Sequence, residues 1–180
     1  MKILVAEDDA VTRKLLEVTL GRLRFDVISA ADGTAAWNTL ETLKGKDAPE
    51  LVVLDWMMPG LEGVEICRRL HTTPGFELVY IILLTSRNSK EDLAYGLAAG
   101  ANDYIAKPFD PVELESRVRV GERMVKLQKS LAARVRELEE ASPKCASCRA
   151  CCRFAATARR CETKRTTGSK SIPIWPRIQT

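Results

Sequence analysis

Residues 51–60 read LVVLDWMMPG, an apolar run that ends on an acid and is followed by a Pro-Gly pair. Four apolar residues in a row, bounded by turn residues, are typical of a strand buried on both faces. Such strands occur in parallel sheets whose two faces are covered by helices. The stretch therefore predicts the central strand of an α/β sheet, with Asp55 at its carboxyl end.

Similar short apolar runs lie on both sides of this strand, at residues 3–5, 27–28, 79–84 and 104–105. The segments between them carry apolar residues at helical spacing, and each is long enough for a right-handed crossover. Strands that alternate with helices predict a parallel sheet with helices on both faces. The fold class is therefore α/β, a doubly wound five-stranded parallel sheet of the flavodoxin type.

The candidate functional residues all follow or end predicted strands: Glu7 and Asp8 the first, Asp55 the third, Thr85 the fourth and Lys107 the fifth. Ligands bind at such strand ends in open parallel sheets. Three converging carboxylates repel one another unless a cation is present, and oxygen ligands of this kind suit Mg²⁺. Asp55 is then the candidate nucleophile toward a phosphoryl group, with Lys107 and Thr85 neutralising charge.

Four motifs in order, KILVAEDD, LVVLDWMMPG, IILLTSR and DYIAKPF, resemble the CheY-like receiver domain of two-component response regulators. The resemblance covers about two thirds of the chain, and the four motifs together are far more specific than any one alone. It implies a phosphorylated aspartate and a protein that relays a signal by changing its contacts with other proteins.

The resemblance also implies a role for each matching position. Asp55 is the phosphoacceptor, Glu7 and Asp8 are the acidic pair that binds Mg²⁺, and the backbone carbonyl of Met57 is a further metal ligand. Lys107 pairs with the phosphoryl group and precedes a cis peptide bond to Pro108. Thr85 and Tyr104 are the pair that changes conformation on phosphorylation.

The partners implied are a sensor histidine kinase or a phosphotransfer protein as donor, and a downstream protein as target. The chain would be a phosphoacceptor that catalyses only its own phosphoryl transfer, not an enzyme with turnover. The alternative is a phosphohydrolase with an aspartate nucleophile. Such enzymes commonly carry a second acid two residues later, where this chain has Met57.

Two polar residues near these motifs have simpler explanations. Asp9 lies beside the acidic pair, but we expect it to cap the helix that begins near Ala10. His71 is the only histidine, and it lies at the end of the third predicted helix, where a cationic side chain suits the helix dipole.

Three segments make up the predicted organisation: a receiver domain at 1–120, a helical extension at 121–141 and a basic, cysteine-rich tail at 142–180. The extension carries a heptad-like stripe, which predicts a coiled coil and a homodimer through the last helix. The stripe is interrupted where Arg134 takes a seam position. Its apolar members are Val120, Met124, Leu127, Leu131 and Leu138.

The tail has nine Lys/Arg and one Glu, a formal charge of +8, which leaves −4 for the rest of the chain. Its Cys145 and Cys148 have the CxxC spacing of zinc or iron–sulfur sites, without a second well-spaced pair. The alternative interpretation is a DNA-binding regulator, since a basic tail attracts nucleic acid through its charge. No recognition fold accompanies that charge, so we do not expect nucleic acid binding. We also expect little independent structure in the tail.

A third interpretation of the tail is that it is translated out of frame. In one permitted choice of codons, the neighbouring frame of residues 150–161 reads GLLPICSYCKKM, which resembles a CxxC segment that follows the coiled coil in some receiver proteins. The codons of the gene test this directly.

Membrane insertion is not expected, because no apolar run approaches the length of a transmembrane helix. The start of the chain becomes acidic too soon, at Glu7, for a secretory signal. These features predict a cytoplasmic protein.

Overall fold

A computed structural model describes residues 1–43, 45–86 and 89–141. The chain divides into two units, residues 1–134 and 135–180, and the described part of the second unit is the end of the last helix. A short 3₁₀ turn spans Gly45–Asp47. The main elements, in chain order, are β1 (Lys2–Ala6), α1 (Ala10–Arg22), β2 (Asp26–Ala30), α2 (Gly33–Thr42), β3 (Leu51–Asp55), α3 (Gly63–Thr72), β4 (Tyr80–Thr85), α4 (Lys90–Ala98), β5 (Asp103–Ala106) and α5 (Pro111–Ala141).

Within the described residues the five strands form one parallel sheet in the order β2-β1-β3-β4-β5. This confirms the predicted flavodoxin-type α/β fold. Each predicted strand is present, with bounds that differ by one or two residues. Val79, for example, lies just before β4 rather than within it.

Alternate residues of each central strand enter opposite cores, as the period of a strand requires. One core combines Val52 and Leu54 of β3 with residues of α2 and α3. The other combines Leu51 and Val53 with residues of α1 and α5. All five residues of β3 are buried, which explains why the four residues before Asp55 are continuously apolar rather than alternating.

The last helix continues from Pro111 to Ala141 and passes the predicted boundary at residue 120 without interruption. Its first part packs on the sheet through Leu114, Val118 and Val125. Gly121 permits this close approach, because a Cβ there would lie 2.7 Å from the ring of Tyr80. The coiled coil itself stays a prediction.

No helix among the described residues is both long and apolar enough to span a membrane. The predictions for the tail at 142–180, including its CxxC pair, lie outside the residues that the structure describes.

Candidate functional site

The candidate site lies at the carboxyl ends of the central strands. From β1 the chain crosses to β2 on one side and then to β3 on the other, so β1 and β3 flank the point where the strand order reverses. Ligands bind beyond the strand ends at such a switch point. Glu7 and Asp8 directly follow β1, and Asp55 is the last residue of β3.

The structure brings together the three acids that the sequence predicts to converge. One carboxylate oxygen from each of Glu7, Asp8 and Asp55 lies within 4.8 Å of the other two. Glu7 is fully buried and Asp55 nearly so, whereas Asp8 is exposed. Like charges this close repel, and burial removes their hydration. The cluster therefore needs positive charge nearby.

Lys107 supplies part of that charge from the end of β5. Its Nζ lies 2.7 Å from Oε1 of Glu7 and 3.0 Å from Oδ2 of Asp55. The backbone N–H of Lys107 donates to the carbonyl of Thr85 at 2.7 Å. The predicted cis peptide to Pro108 is present. Lys107 is thus fixed at its backbone and held between two acids at its ammonium group.

Burial raises the pKa of Glu7, and the hydrogen bond from Lys107 offsets this only in part. Burial also raises the pKa of Asp55, against the opposing effect of the same lysine. For Lys107, burial by itself lowers the pKa, but hydrogen bonds to both acids outweigh it and the net shift is upward. The ammonium therefore stays charged at neutral pH, and it faces an excess of carboxylates.

A divalent cation fits this donor set. Oε2 of Glu7 is buried and has no hydrogen-bond partner among the described residues. Leaving a buried acceptor unpaired costs about 1–3 kcal/mol, which a cation at this position would remove. The available ligands are carboxylate oxygens, which suit Mg²⁺ rather than the softer transition metals.

The remaining predicted residues surround the acids. The backbone of Met57 acts to lower the pKa of the Asp55 carboxyl, and the side chain of Met57 is exposed. Thr85 is fully buried at the end of β4. Tyr104 lies on β5 opposite Leu83 and is partly buried against the core. The carbonyl of Met57 as a ligand, and the switching of Thr85 with Tyr104, stay predictions.

Two residues that sequence reasoning missed shape the site. Nη1 of Arg13 donates to the carbonyls of Glu7 at 2.7 Å and Asp8 at 3.2 Å, which holds the acidic loop. Gly63, at the start of α3, packs so closely that a Cβ there would lie 2.1 Å from the carbonyl oxygen of Asp55. Arg13 could have been suspected from its place one turn into α1, whereas no sequence signal indicated Gly63.

The simpler explanation of Asp9 is confirmed. Its carboxylate accepts from the backbone N–H of Thr12 at 2.8 Å and caps α1, which begins at Ala10. His71 is exposed in the last turn of α3, as expected.

Trp56 connects the site to α4. It directly follows Asp55, is buried, and its backbone N–H donates to the carbonyl of Leu84 at 2.8 Å. Its ring packs against Gly96, where a Cβ would lie 2.8 Å away, and its ring centre is 6.3 Å from that of Tyr95. The position of α4 therefore depends on the residue next to the candidate acceptor.

The chain matches the family model of the response regulator receiver domain over residues 3–119. The DNA-binding response regulator MtrA of Mycobacterium tuberculosis is 42% identical over 118 residues, which cover 66% of this chain and 49% of MtrA. The chain thus spans about half the length of this curated relative.

Solved receiver structures are similar to most of the same region. The Francisella response regulator 1452 receiver domain shares 29% identity at a TM-score of 0.61, covering 71% of this chain and 98% of the other. The receiver domain of the sensor histidine kinase PA1611 of Pseudomonas aeruginosa shares 31% sequence identity at a TM-score of 0.59, and the match covers 69% of this chain and 97% of the other. That structure has a magnesium ion coordinated in its active-site cleft.

Proposed function

This chain belongs to the family of response regulator receiver domains, and from that premise we propose that it accepts a phosphoryl group on Asp55 and relays a signal through altered protein contacts. The observation that carries the proposal is the convergence of three carboxylates at the strand ends, two of which, Glu7 and Asp55, pair with Lys107. In this proposal the chain is a phosphoacceptor whose own residues assist the transfer, not an enzyme with turnover.

The chemistry proposed is an in-line transfer. An oxygen of the Asp55 carboxylate forms a bond to phosphorus as the bond from phosphorus to the donor nitrogen breaks, and the donor imidazole keeps the electron pair and takes up a proton. The ammonium of Lys107, 3.0 Å from Asp55, is placed to neutralise charge on the phosphoryl oxygens. The hydroxyl of Thr85 is the further group proposed to bind them.

Glu7, Asp8, Asp55 and the carbonyl of Met57 would hold Mg²⁺. The cation would supply charge neutralisation for the entering phosphoryl oxygens. The convergence of the three acids and the unpartnered oxygen of Glu7 support this part of the proposal.

The proposed donor is a phosphohistidine of a sensor histidine kinase or a phosphotransfer protein. An apolar stripe on α1, formed by Val11, Leu15 and Val18 at helical spacing, is exposed. Leu15 also lines a surface cavity with Pro108 and Phe109, next to Lys107. An exposed apolar stripe that borders a reactive group suits a docking helix that presents its histidine to Asp55.

We propose that phosphorylation shifts a two-state equilibrium in which Thr85 moves and Tyr104 follows. The contact of Trp56 with Gly96 gives α4 a direct connection to the residue after Asp55. The downstream element is proposed to be α5, whose extension would form a homodimer and contact a downstream protein.

A second candidate is DNA binding through the basic tail, since MtrA is described as a DNA-binding response regulator. Salt-sensitive DNA binding that disappears when residues 142–180 are removed would support it. Binding that is absent at low salt would exclude it.

The test of the main proposal is intact-mass analysis after incubation with Mg²⁺ and acetyl phosphate. We expect one phosphoryl adduct on the wild type and none on Asp55→Ala. Asp26→Ala, at an exposed position on β2, is the matched control and should be modified like the wild type. Absence of the adduct from the wild type, or its presence on Asp55→Ala, would refute the proposal.

A further inference from the structure

Arg13 is a cationic side chain of α1 that reaches the acidic loop after β1. Its Nη1 donates to the backbone carbonyl of Glu7 at 2.7 Å and to that of Asp8 at 3.2 Å. Within the described residues it forms no ion pair with a carboxylate. Lys107, by contrast, binds the carboxylates of Glu7 and Asp55 themselves. These two cations therefore act on different atoms of the site.

The carboxylate of Asp8 depends on its backbone for its position. It is exposed, and none of the residues that the structure describes donates a hydrogen bond to it. One of its oxygens nonetheless lies within 4.8 Å of a carboxylate oxygen of Glu7 and of Asp55. The course of the backbone from Glu7 to Asp9 is therefore what brings this acid into the cluster.

Hydrogen bonds to the backbone fix that course. The N–H of Glu7 donates to the carbonyl of Ala30 at 3.3 Å, and the N–H of Arg13 donates to the carbonyl of Asp9 at 2.9 Å where α1 begins. Between these two points, the side chain of Arg13 binds the carbonyl of Asp8. Because the same nitrogen also binds the carbonyl of Glu7, its removal would release two successive peptide groups at once.

We infer that Arg13 is a positioning residue for the proposed Mg²⁺ site, because it binds the carbonyls of Glu7 and Asp8 and so holds their carboxylates at the spacing of the cluster. The inference rests on the proposed function in taking the three acids as a metal site. It adds a cation whose role is geometric, since its charge by itself opposes the binding of Mg²⁺. Removing a group that orients metal ligands typically lowers metal affinity by about tenfold to a hundredfold.

The sign of the effect separates geometry from charge. By charge alone, removing a cation near the site should tighten Mg²⁺ binding. Removing a group that holds the ligands in place should weaken it. The loss should also be larger for Mg²⁺ than for Ca²⁺, because Mg²⁺ demands near-octahedral geometry at about 2.0–2.1 Å, whereas Ca²⁺ accepts irregular geometry at about 2.3–2.6 Å.

The test is titration of the full-length chain with MgCl₂ and, separately, with CaCl₂ at constant ionic strength, followed by two-dimensional amide NMR. Arg13→Met keeps an unbranched side chain but removes the donors and the charge. We expect its Kd for Mg²⁺ to rise about tenfold to thirtyfold, and its Kd for Ca²⁺ to rise less than about threefold. Arg13→Gln, a milder change, should shift both values in the same directions.

Arg13→Lys tests rescue by a conservative change. One nitrogen of Arg13 makes both contacts, so a lysine ammonium with its three donors can replace it. Its Kd for Mg²⁺ should lie within about threefold of the wild-type value. A lysine variant as weak as Arg13→Met would show that carbonyl binding is not what matters, and would overturn the inference.

Arg22→Met is the matched control. Arg22 is exposed in the last turn of the same helix, so this variant makes the same change of charge and shape at the other end of α1. It should bind both ions like the wild type. The spectra also show whether each variant is folded, and a Kd refers to the folded chain, so a loss of stability alone leaves it unchanged.

Unchanged or tighter Mg²⁺ binding by Arg13→Met and Arg13→Gln would overturn the inference, as would an equal loss of affinity for Mg²⁺ and Ca²⁺. The Asp55 adduct is measured by intact mass on the same samples. A wild type that binds Mg²⁺ and forms the adduct, beside an Arg13→Met protein unchanged in both, refutes only the inference about Arg13. A wild type that binds no Mg²⁺ refutes the proposed metal site itself.

Discussion

Replacing Glu7 by glutamine should stabilise the metal-free protein while weakening its response to Mg²⁺. The Glu7 carboxylate has two carboxylate neighbours within 4.8 Å, each repelling it by about 3.5 kcal/mol at an effective dielectric constant of 20. Its attraction to Lys107 at 2.7 Å is about 6 kcal/mol on the same basis. The balance is unfavourable by roughly 1 kcal/mol, before the unpartnered Oε2 is considered.

A glutamine keeps the acceptor that faces Lys107 and places an amide donor at the position of the unpartnered Oε2, within the cluster that includes Asp55 and Asp8. It therefore removes both the repulsion and the unpaired acceptor, and we expect a gain of about 1–3 kcal/mol in the free energy of unfolding without metal. This corresponds to about 3–5 °C in Tm for each kcal/mol.

The assay is urea unfolding, followed by tryptophan fluorescence, with and without Mg²⁺. At a metal concentration ten times its Kd, the wild type should gain about 1.4 kcal/mol, and the variant much less. Glu62→Gln is the control: Glu62 is exposed and its side chain makes no capping bond. A metal-free Glu7→Gln protein less stable than the wild type would show that the pair with Lys107 outweighs the repulsion, contrary to this reasoning.

The same prediction has a pH dependence. The pKa of Glu7 is raised in the folded protein above its ordinary value of 4.5, so the charged form destabilises the fold at neutral pH. That destabilisation is relieved as the pH falls through the folded pKa toward 4.5. The advantage of Glu7→Gln over the wild type should therefore be constant above the folded pKa of Glu7 and shrink as the pH falls from that pKa toward 4.5, and an advantage that persists unchanged below pH 4.5 would contradict the electrostatic explanation.

Three further predictions concern the surroundings of the site. Gly96→Ala should cost about 1–3 kcal/mol in urea unfolding, because its Cβ would lie 2.8 Å from Trp56. Gly21→Ala, with nothing within 4 Å of its Cβ, should not destabilise the protein. Lys107→Ala should bind Mg²⁺ more tightly by calorimetry, since it removes a competing cation, yet give no phosphoryl adduct; weaker metal binding would contradict this. Burial raises the pKa of the Cys67 thiol to about 12, so peptide mapping should find it unlabelled by a thiol reagent at neutral pH until the protein unfolds.

The sheet could be predicted from sequence because its central strands are buried on both faces and are continuously apolar. The bounds were less certain where a strand has one exposed side. In β2, for example, only Val27 and Ile28 carry the apolar signal, although the strand runs from Asp26 to Ala30. The length of α5 was also predictable, but its burial was not, since Gly121 packs on Tyr80 through a contact between residues far apart in sequence.

The positions of the site residues followed from topology alone, because the carboxyl ends of parallel strands meet at one edge. Distances and burial did not follow. No pattern in the sequence reveals that Glu7 is fully buried while Asp8 beside it is exposed. The contribution of Arg13, which binds two backbone carbonyls, was hidden for the same reason, since side-chain to backbone contacts leave little trace in composition.

The charge balance of the site predicts that removing an acid and removing the lysine have different effects on metal binding and on phosphoryl transfer. Among the described residues, Lys107 is the cationic side chain that pairs with two of the three clustered acids, so the cluster leaves a negative excess that a cation from solution would offset. Removing an acid such as Glu7 lowers that excess, and metal binding and phosphorylation should then fail together. Removing Lys107 leaves the acids with less positive charge nearby, so Mg²⁺ binding should become tighter. The same change takes away a group proposed to face the phosphoryl oxygens, so phosphorylation should fail.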